Sequence, residues 1–262
     1  GVCAPPADGD YSSHLRREGL RGARIGIPRA YYYEATTPPG KQEAVGGLSA
    51  EEAQAMARAI EVLRAQGAVV VDPANIPSVL AADPDDNQLL FQNCYDLPQG
   101  KGGDEHCSVI LKYGMKRDFN RWLETLGDSA PVSSLTGLRE FNLANRERNA
   151  IRYDQAELDI SDEMDVVADA ARWRADRDKD IRLSRSQGID AALQEHELDA
   201  LLMPSWKGEN ILNKAGYPAV VVPFATVSNV LEPPLPQGFD AQPNGVFQRR
   251  GEAVQPGAQQ SP

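Results

Sequence analysis

The sequence predicts an α/β fold. Three observations carry that prediction: strand-sized runs of β-branched residues stopped by proline, apolar residues recurring at helical spacing between them, and a strand–helix–strand order near the start of the chain. The chain has 262 residues, 41% hydrophobic and 25% charged. A chain of that size buries roughly 70–75% of its unfolded surface, so neither disulfides nor a structural metal is needed to hold it together. Lys+Arg 27 against Asp+Glu 38 leave a net charge of −11. That balance argues against nucleic acid or an anionic membrane as partner, because both need surplus cations to displace counterions from phosphate. No apolar run approaches the roughly 18 residues of a bilayer-spanning helix. Residues 1–10 have neither the cationic start nor the apolar stretch of a signal peptide. Three cysteines, Cys3, Cys94 and Cys107, at unpatterned spacing fit a reducing compartment or plain core use better than a disulfide framework. The expected location is therefore cytoplasmic.

The first strand is read at Ala23-Arg24-Ile25-Gly26-Ile27, which Pro28 stops because it has no N–H for a ladder. Ser49-Ala50-Glu51-Glu52 has capping-box spacing, and Ala53, Met56, Ala57, Ile60 and Leu63 then form a helical stripe that should face a core. Gly67 ends that helix. Ala68-Val69-Val70-Val71 is continuous and β-branched, as strands buried on both faces are, and Asp72-Pro73 closes it. Residues 83–103 read as a connecting region with at most short helical pieces. Leu111, Met115, Phe119, Trp122 and Leu126 define a second amphipathic helix with Gly127 as its C-cap, and Ser133-Ser134 suits the N-cap of a third, shorter one with Leu135, Leu138, Phe141 and Leu143. Residues 162–198 read as mostly helical, their alternating charges a solvated face, with a break at Gly188. Two further apolar strands are predicted, at residues 198–205 and 218–223, separated by a loop over residues 207–216. Beyond Leu231 the composition turns to Pro, Gly and Gln, and residues 248–262 read as a tail without structure.

The residues themselves show no reaction centre. His14, His106 and His196 lie in no HExxH or CxxC context, so ligand spacing for zinc is absent. His106 and Cys107 are neighbours and point apart, which disfavours a thiol–imidazole site with Cys94. No serine has the glycine neighbours of a nucleophile elbow, and Gly26 has no companions for a nucleotide loop.

Several strings, in order, resemble the C-terminal part of the amidase-signature family. They are Leu20-Arg21-Gly22-Ala23-Arg24-Ile25-Gly26-Ile27-Pro28-Arg29, the helix end and strand from Val62 through Asp72, Leu201-Leu202-Met203-Pro204-Ser205, Ala215-Gly216-Tyr217-Pro218-Ala219-Val220-Val221-Val222-Pro223, and Pro233-Pro234-Leu235-Pro236-Gln237-Gly238-Phe239. The resemblance implies a mixed twisted sheet covered by helices, incomplete in this chain, with residues 1–247 forming part of a single amidase domain. It also implies hydrolysis of a carboxamide C–N bond by a Ser–cis-Ser–Lys triad, with backbone N–H groups holding the oxyanion and no metal or organic cofactor. The family's lysine and Gly/Ser-rich signature lie N-terminal to the matched strings, so no catalytic residue is carried over. Lys207, Lys214 and Ser205 match no triad position. The family's strand end and following strand start border the acyl channel, which implies a substrate wall of Pro204, Ser205, Trp206, Gly216, Tyr217 and Pro218. The alternative is that Gly216 and Pro218 only shape a turn and Tyr217 only packs.

The implied protein acts on a small-molecule amide, and the chain alone is expected to be inactive. It is also expected to self-associate through the apolar side of an unfinished sheet. The rival readings are a non-catalytic binding or scaffold remnant of the fold and the A-type subunit of an amidotransferase. An acidic chain without basic, aromatic-interleaved patches offers the latter little.

Overall fold

The computed structural model describes residues 9, 10, 12, 15–148, 150, 151, 154–227, 239–241 and 247–249. β1 (Arg24–Gly26) opens the regular structure, and β2 (Ala35–Thr36) and β3 (Val45–Gly46) pair antiparallel. α1 (Ala50–Ala65) starts at the predicted capping box, with Glu52 N donating to Ser49 Oγ at 3.3 Å and Ser49 N donating to Glu52 Oε2 at 2.8 Å. Gly67, at φ +89°, turns the chain into β4 (Val69–Val71), a conformation that side-chain-bearing residues avoid. After α2 (Pro77–Leu80) come α3 (Ile110–Leu126), α4 (Leu135–Ala144), α5 (Ala156–Asp162) and α6 (Ala170–Ile181). A π-helical stretch, Arg182–Ile189, leads into α7 (Asp190–Glu195), followed by β5 (Ala200–Leu201), α8 (Glu209–Ala215), β6 (Phe239–Ala241) and β7 (Phe247–Arg249). Among the described residues no helix is long and apolar enough to cross a membrane.

The chain forms two compact units. The first comprises residues 1–92 and 178–230. Its sheet has the order β4-β1-β5, all parallel, with Ile25 opposite both Val70 and Ala200. The predicted strand–helix–strand unit is thus β1-α1-β4. Gly26 sits in the central strand because there is no room for more: a Cβ there would lie 2.3 Å from Leu198 Cδ1. The core gathers around Ile27, Tyr32, Ile60, Ile76, Ile189 and Ile211.

Several expectations are corrected in this unit. Val69 is exposed and Val70 and Val71 only half-buried, since a three-stranded sheet leaves its edge strand covered on fewer sides. In α1, Met56, Ile60 and Leu63 point inward as predicted, but Ala53 and Ala57 are exposed and Ala55 is buried instead, because small alanines give weak phase information to a helical stripe. The predicted loop over residues 207–216 is largely helical: a 3₁₀ turn, Ser205–Gly208, runs into α8. Pro218 to Pro223 takes no strand pairing among the described residues. Val220, Val221 and Val222 are 88%, 89% and 74% exposed there. β-branching makes a segment ready to pair, but a strand also needs a neighbour. Gly188 is the predicted break: its φ and ψ are −104° and −107°, and a Cβ would lie 2.6 Å from the Leu183 carbonyl oxygen.

The second unit comprises residues 93–177 and 231–262. α3 packs on α5, and the buried cluster is small: Cys94, Cys107, Val109, Tyr113, Ile160 and Met164. Cys94 and Cys107 are joined in a disulfide. This corrects the expectation of reduced cysteines: across a sequence separation of 13 the mostly irregular chain brings the two Cα atoms to 5.2 Å, which spacing in sequence does not show. Ser134 caps α4 as predicted, accepting from Gly137 N at 3.0 Å, and Gly127 caps α3. The α3 stripe is rotated from expectation. Leu111, Trp122 and Leu126 are exposed, whereas Lys112, Tyr113 and Leu123 are buried, because the ammonium of Lys112 finds acceptors inside. The tail boundary also moves. Gln248 and Arg249 belong to β7, which pairs antiparallel with β6, Asp240 opposite Gln248, a pairing set by a segment several residues upstream. The predicted tail over residues 250–262 and the Pro233-to-Gly238 string lie outside the described residues.

Candidate functional site

In open α/β sheets ligands bind beyond the carboxyl ends of the strands, and in the first unit that edge holds a polar cluster. Arg29 follows β1 and Asp72 follows β4, and the Gly26–Val71 register brings the two exits side by side. The guanidinium donates twice to the carboxylate, Nε to Oδ1 at 2.7 Å and Nη2 to Oδ2 at 2.5 Å. That paired bond raises the Arg29 pKa further above its ordinary value. The guanidinium also lies 5.2 Å from the centre of the Tyr33 ring. Tyr33 Oη donates to the Leu202 carbonyl at 2.9 Å, tying this cluster to the end of β5, and burial pushes its phenol pKa well up.

A groove of about 540 Å³ opens beside the Arg29–Asp72 pair, along the α1 face that carries Gln54, Ala57, Arg58, Glu61 and Arg64. Exposed Ala57 is what keeps its wall low. Arg64 is bonded to Glu61 at 2.7 Å. The lining contains no serine, cysteine or lysine, so the groove offers charged hydrogen-bond donors but no nucleophile.

The six residues implied as a substrate wall lie at the two ends of one short helical segment. Pro204 is buried at the exit of β5, Ser205 and Trp206 begin the 3₁₀ turn, and Trp206 is largely exposed. Gly216 caps α8 at φ +70°, followed by half-buried Tyr217 and exposed Pro218. The helix between the two trios rises about 1.5 Å per residue, roughly 10 Å in all. Tyr217 is held firmly. Its hydroxyl donates to Asp190, and the Arg185 guanidinium lies 5.8 Å from its ring centre. Burial first, then the Asp190 carboxylate, raise the Tyr217 pKa.

Lys214 of α8 lies beside this wall but is committed elsewhere. Its ammonium donates to Asp180 Oδ1 at 2.7 Å and to the Phe91 carbonyl at 2.6 Å, with side-chain exposures of 6% for Lys214 and 1% for Asp180. Asp180 belongs to the charge-alternating run expected to be solvated. That reading holds for the Arg172–Asp176 pair at i, i+4 but fails for the burial of Asp176 and Asp180. Sequence reasoning missed Arg29–Asp72, Lys214–Asp180 and Tyr217–Asp190. The first had a usable signal, since each partner leaves a strand of the same strand–helix–strand unit. The other two join positions far apart in sequence, Lys214 of α8 to Asp180 of α6 and Tyr217 beyond α8 to Asp190 of α7, and had none.

No protein-family model matches the chain. A probable amidase of Arabidopsis thaliana is 23% identical over 221 residues, which cover 82% of this chain and 34% of that protein. Among solved structures, a peptide amidase in complex with the competitive inhibitor chymostatin superposes with a TM-score of 0.61 at 26% identity, over 86% of this chain and 42% of its own. The native peptide amidase of Stenotrophomonas maltophilia gives 0.56 at 25% identity, over 82% and 39%. An amidase family protein of Bacillus anthracis shares the fold at a TM-score of 0.51 and 16% identity. These likenesses agree with the resemblance the strings carry, and over the part they share the chain has the mixed α/β architecture of the peptide amidases. The chain spans about a third of the length of the curated relative and about two fifths of the peptide amidases.

Proposed function

We propose that this chain is a C-terminal portion of an amidase that hydrolyses carboxamide C–N bonds by the Ser–cis-Ser–Lys chemistry of the amidase-signature family, with the triad outside the 262 residues. The observation that carries the reading is the asymmetric overlap with the peptide amidases, 86% of this chain against 42% of theirs. The structural relatives are named peptide amidases, and a peptide amide is accordingly the first substrate class to try. On this reading the Arg29–Asp72 pair holds the strand ends in place, and residues 204–206 and 216–218 form one wall of the acyl channel, with Tyr217 oriented by Asp190. The described polar clusters are consumed in ion pairs and contain no nucleophile–base couple. Rate enhancement therefore has to come from groups supplied by the rest of the enzyme.

The test has two arms. The purified 262-residue chain should release no ammonia from peptide amides or simple aliphatic and aryl carboxamides. A longer product of the same gene, extended N-terminally to include a lysine and a Gly/Ser-rich segment, should do so. Hydrolysis at enzymic rates by the short chain would sink the claim that the triad lies outside it. A longer product that carries the triad and leaves every amide intact would sink the amidase reading.

A further inference from the structure

The disulfide of the second unit plays no part in the amidase reading. Cys94 and Cys107 enclose a segment whose only regular structure is the 3₁₀ turn Leu97–Gln99, so little local propensity holds it in place. Yet that segment supplies the acceptors for a buried cation. Lys112, 1% exposed on α3, donates to Asp104 Oδ2 at 2.6 Å and to the Gln99 carbonyl at 3.1 Å. Arg172 Nη2 binds the Asp104 and Cys107 carbonyls at 2.7 and 3.2 Å, and Cys94 N donates to the Ser108 carbonyl at 3.0 Å, just outside the closed loop. An ammonium left in a core without its acceptors is among the costliest things a protein can bury. Among the described residues the apolar cluster around the bridge is small, and it does not offset that cost unaided.

We infer that closing this bond is a required maturation step: the second unit folds only once Cys94 and Cys107 have been oxidised by an exogenous disulfide. One thiolate attacks a sulfur of the oxidant disulfide and expels a thiolate, giving a mixed disulfide. The second cysteine thiolate displaces the remaining oxidant thiolate. Two electrons leave the cysteines, and the oxidant departs as a dithiol carrying the two protons. The exchange precedes packing, because in the folded unit the sulfurs are buried and the recess that reaches Cys94 holds only about 80 Å³. The same burial then shields the bond from reductants. Oxidants of this class prevail in oxidising compartments, so the cytoplasmic expectation gives way to an exported or secreted chain.

The inference stands apart from the amidase reading and is tested on the full chain made in an oxidising compartment. After denaturation, thiol titration should find one reactive cysteine, Cys3, and peptide mapping should find Cys94 joined to Cys107. Complete reduction should speed amide exchange across residues 94–126 and in α5 by about tenfold or more while leaving β1 and α1 unchanged. The double variant Cys94→Val, Cys107→Val should show the same loss, and Cys3→Ala none. Three titratable thiols in oxidatively made protein, or native exchange rates in the reduced chain or the valine variant, would overturn it.

Discussion

The Lys214 ammonium and the Asp180 carboxylate are each worth little to stability as a couple, yet removing one is costly, because the other is left charged in a low-dielectric interior. Asp180→Asn should therefore lower unfolding stability by about 3–5 kcal/mol in urea titration. Arg29 and Asp72 are more open, with side-chain exposures of 33% and 17%, so Arg29→Gln should cost only about 1–2 kcal/mol. Equal losses at the two sites would contradict this ranking by burial. In the second unit the acid limb of stability is set by Asp104 and Asp162. Burial pushes both carboxyls up, but the Lys112 bond at Asp104 and the Thr136, Arg139 and Lys116 bonds at Asp162 outweigh it, and both pKa values end below the ordinary one. A lowered folded pKa means stability that is fully present above the unfolded value, about 3.9, and lost as pH falls through the folded one. The stability of this unit should therefore be nearly pH-independent above about pH 5 and fall steeply below about pH 4. Lys112→Met should flatten that limb. Charge alternation in the sequence made Asp180 look like part of a solvated face, and only its partner Lys214 shows otherwise.

At the scale of elements, local rules worked where both partners sit within one turn. Ser49→Ala should cost about 1 kcal/mol, read from the urea midpoint, because the box it breaks is complete in the structure. Ser134 and Gly127 follow the same logic. Gly188→Ala tests the π-helical kink: a Cβ 2.6 Å from the Leu183 carbonyl must displace backbone, so a loss above about 2 kcal/mol is expected. A neutral result would mean that the kink relaxes freely. Helix faces were less legible than helix positions. The α3 periodicity located the element correctly, but of its stripe Met115 and Phe119 are only half-buried and Leu111, Trp122 and Leu126 are exposed. Hydrophobicity alone could not anticipate that Lys112 goes inside to meet Asp104 and Gln99.

At the scale of the whole molecule, the largest departure from a finished fold is the Val220-Val221-Val222 run, unpaired among the described residues and open to solvent. Three adjacent exposed valines whose backbone groups pair with none of the described residues are a template for strand pairing between chains. We expect the purified chain to associate with increasing concentration and Val221→Lys to shift it toward monomer in sedimentation velocity. A wild-type chain that stays monomeric at high micromolar concentration would remove this segment as the cause. By itself, the sequence determined the α/β class, the β1-α1-β4 unit, the caps of α1 and α4, and the amidase-signature resemblance. All of these rest on residues near one another along the chain or on strings kept in order. Only the tertiary structure decided the disulfide, ion pairs such as Lys214–Asp180, Lys112–Asp104 and Arg29–Asp72, the inward face of α3, and the absence of pairing at residues 218–223 among the described residues. Those depend on which distant groups meet in a low-dielectric interior, where a partner's presence or absence outweighs any local preference.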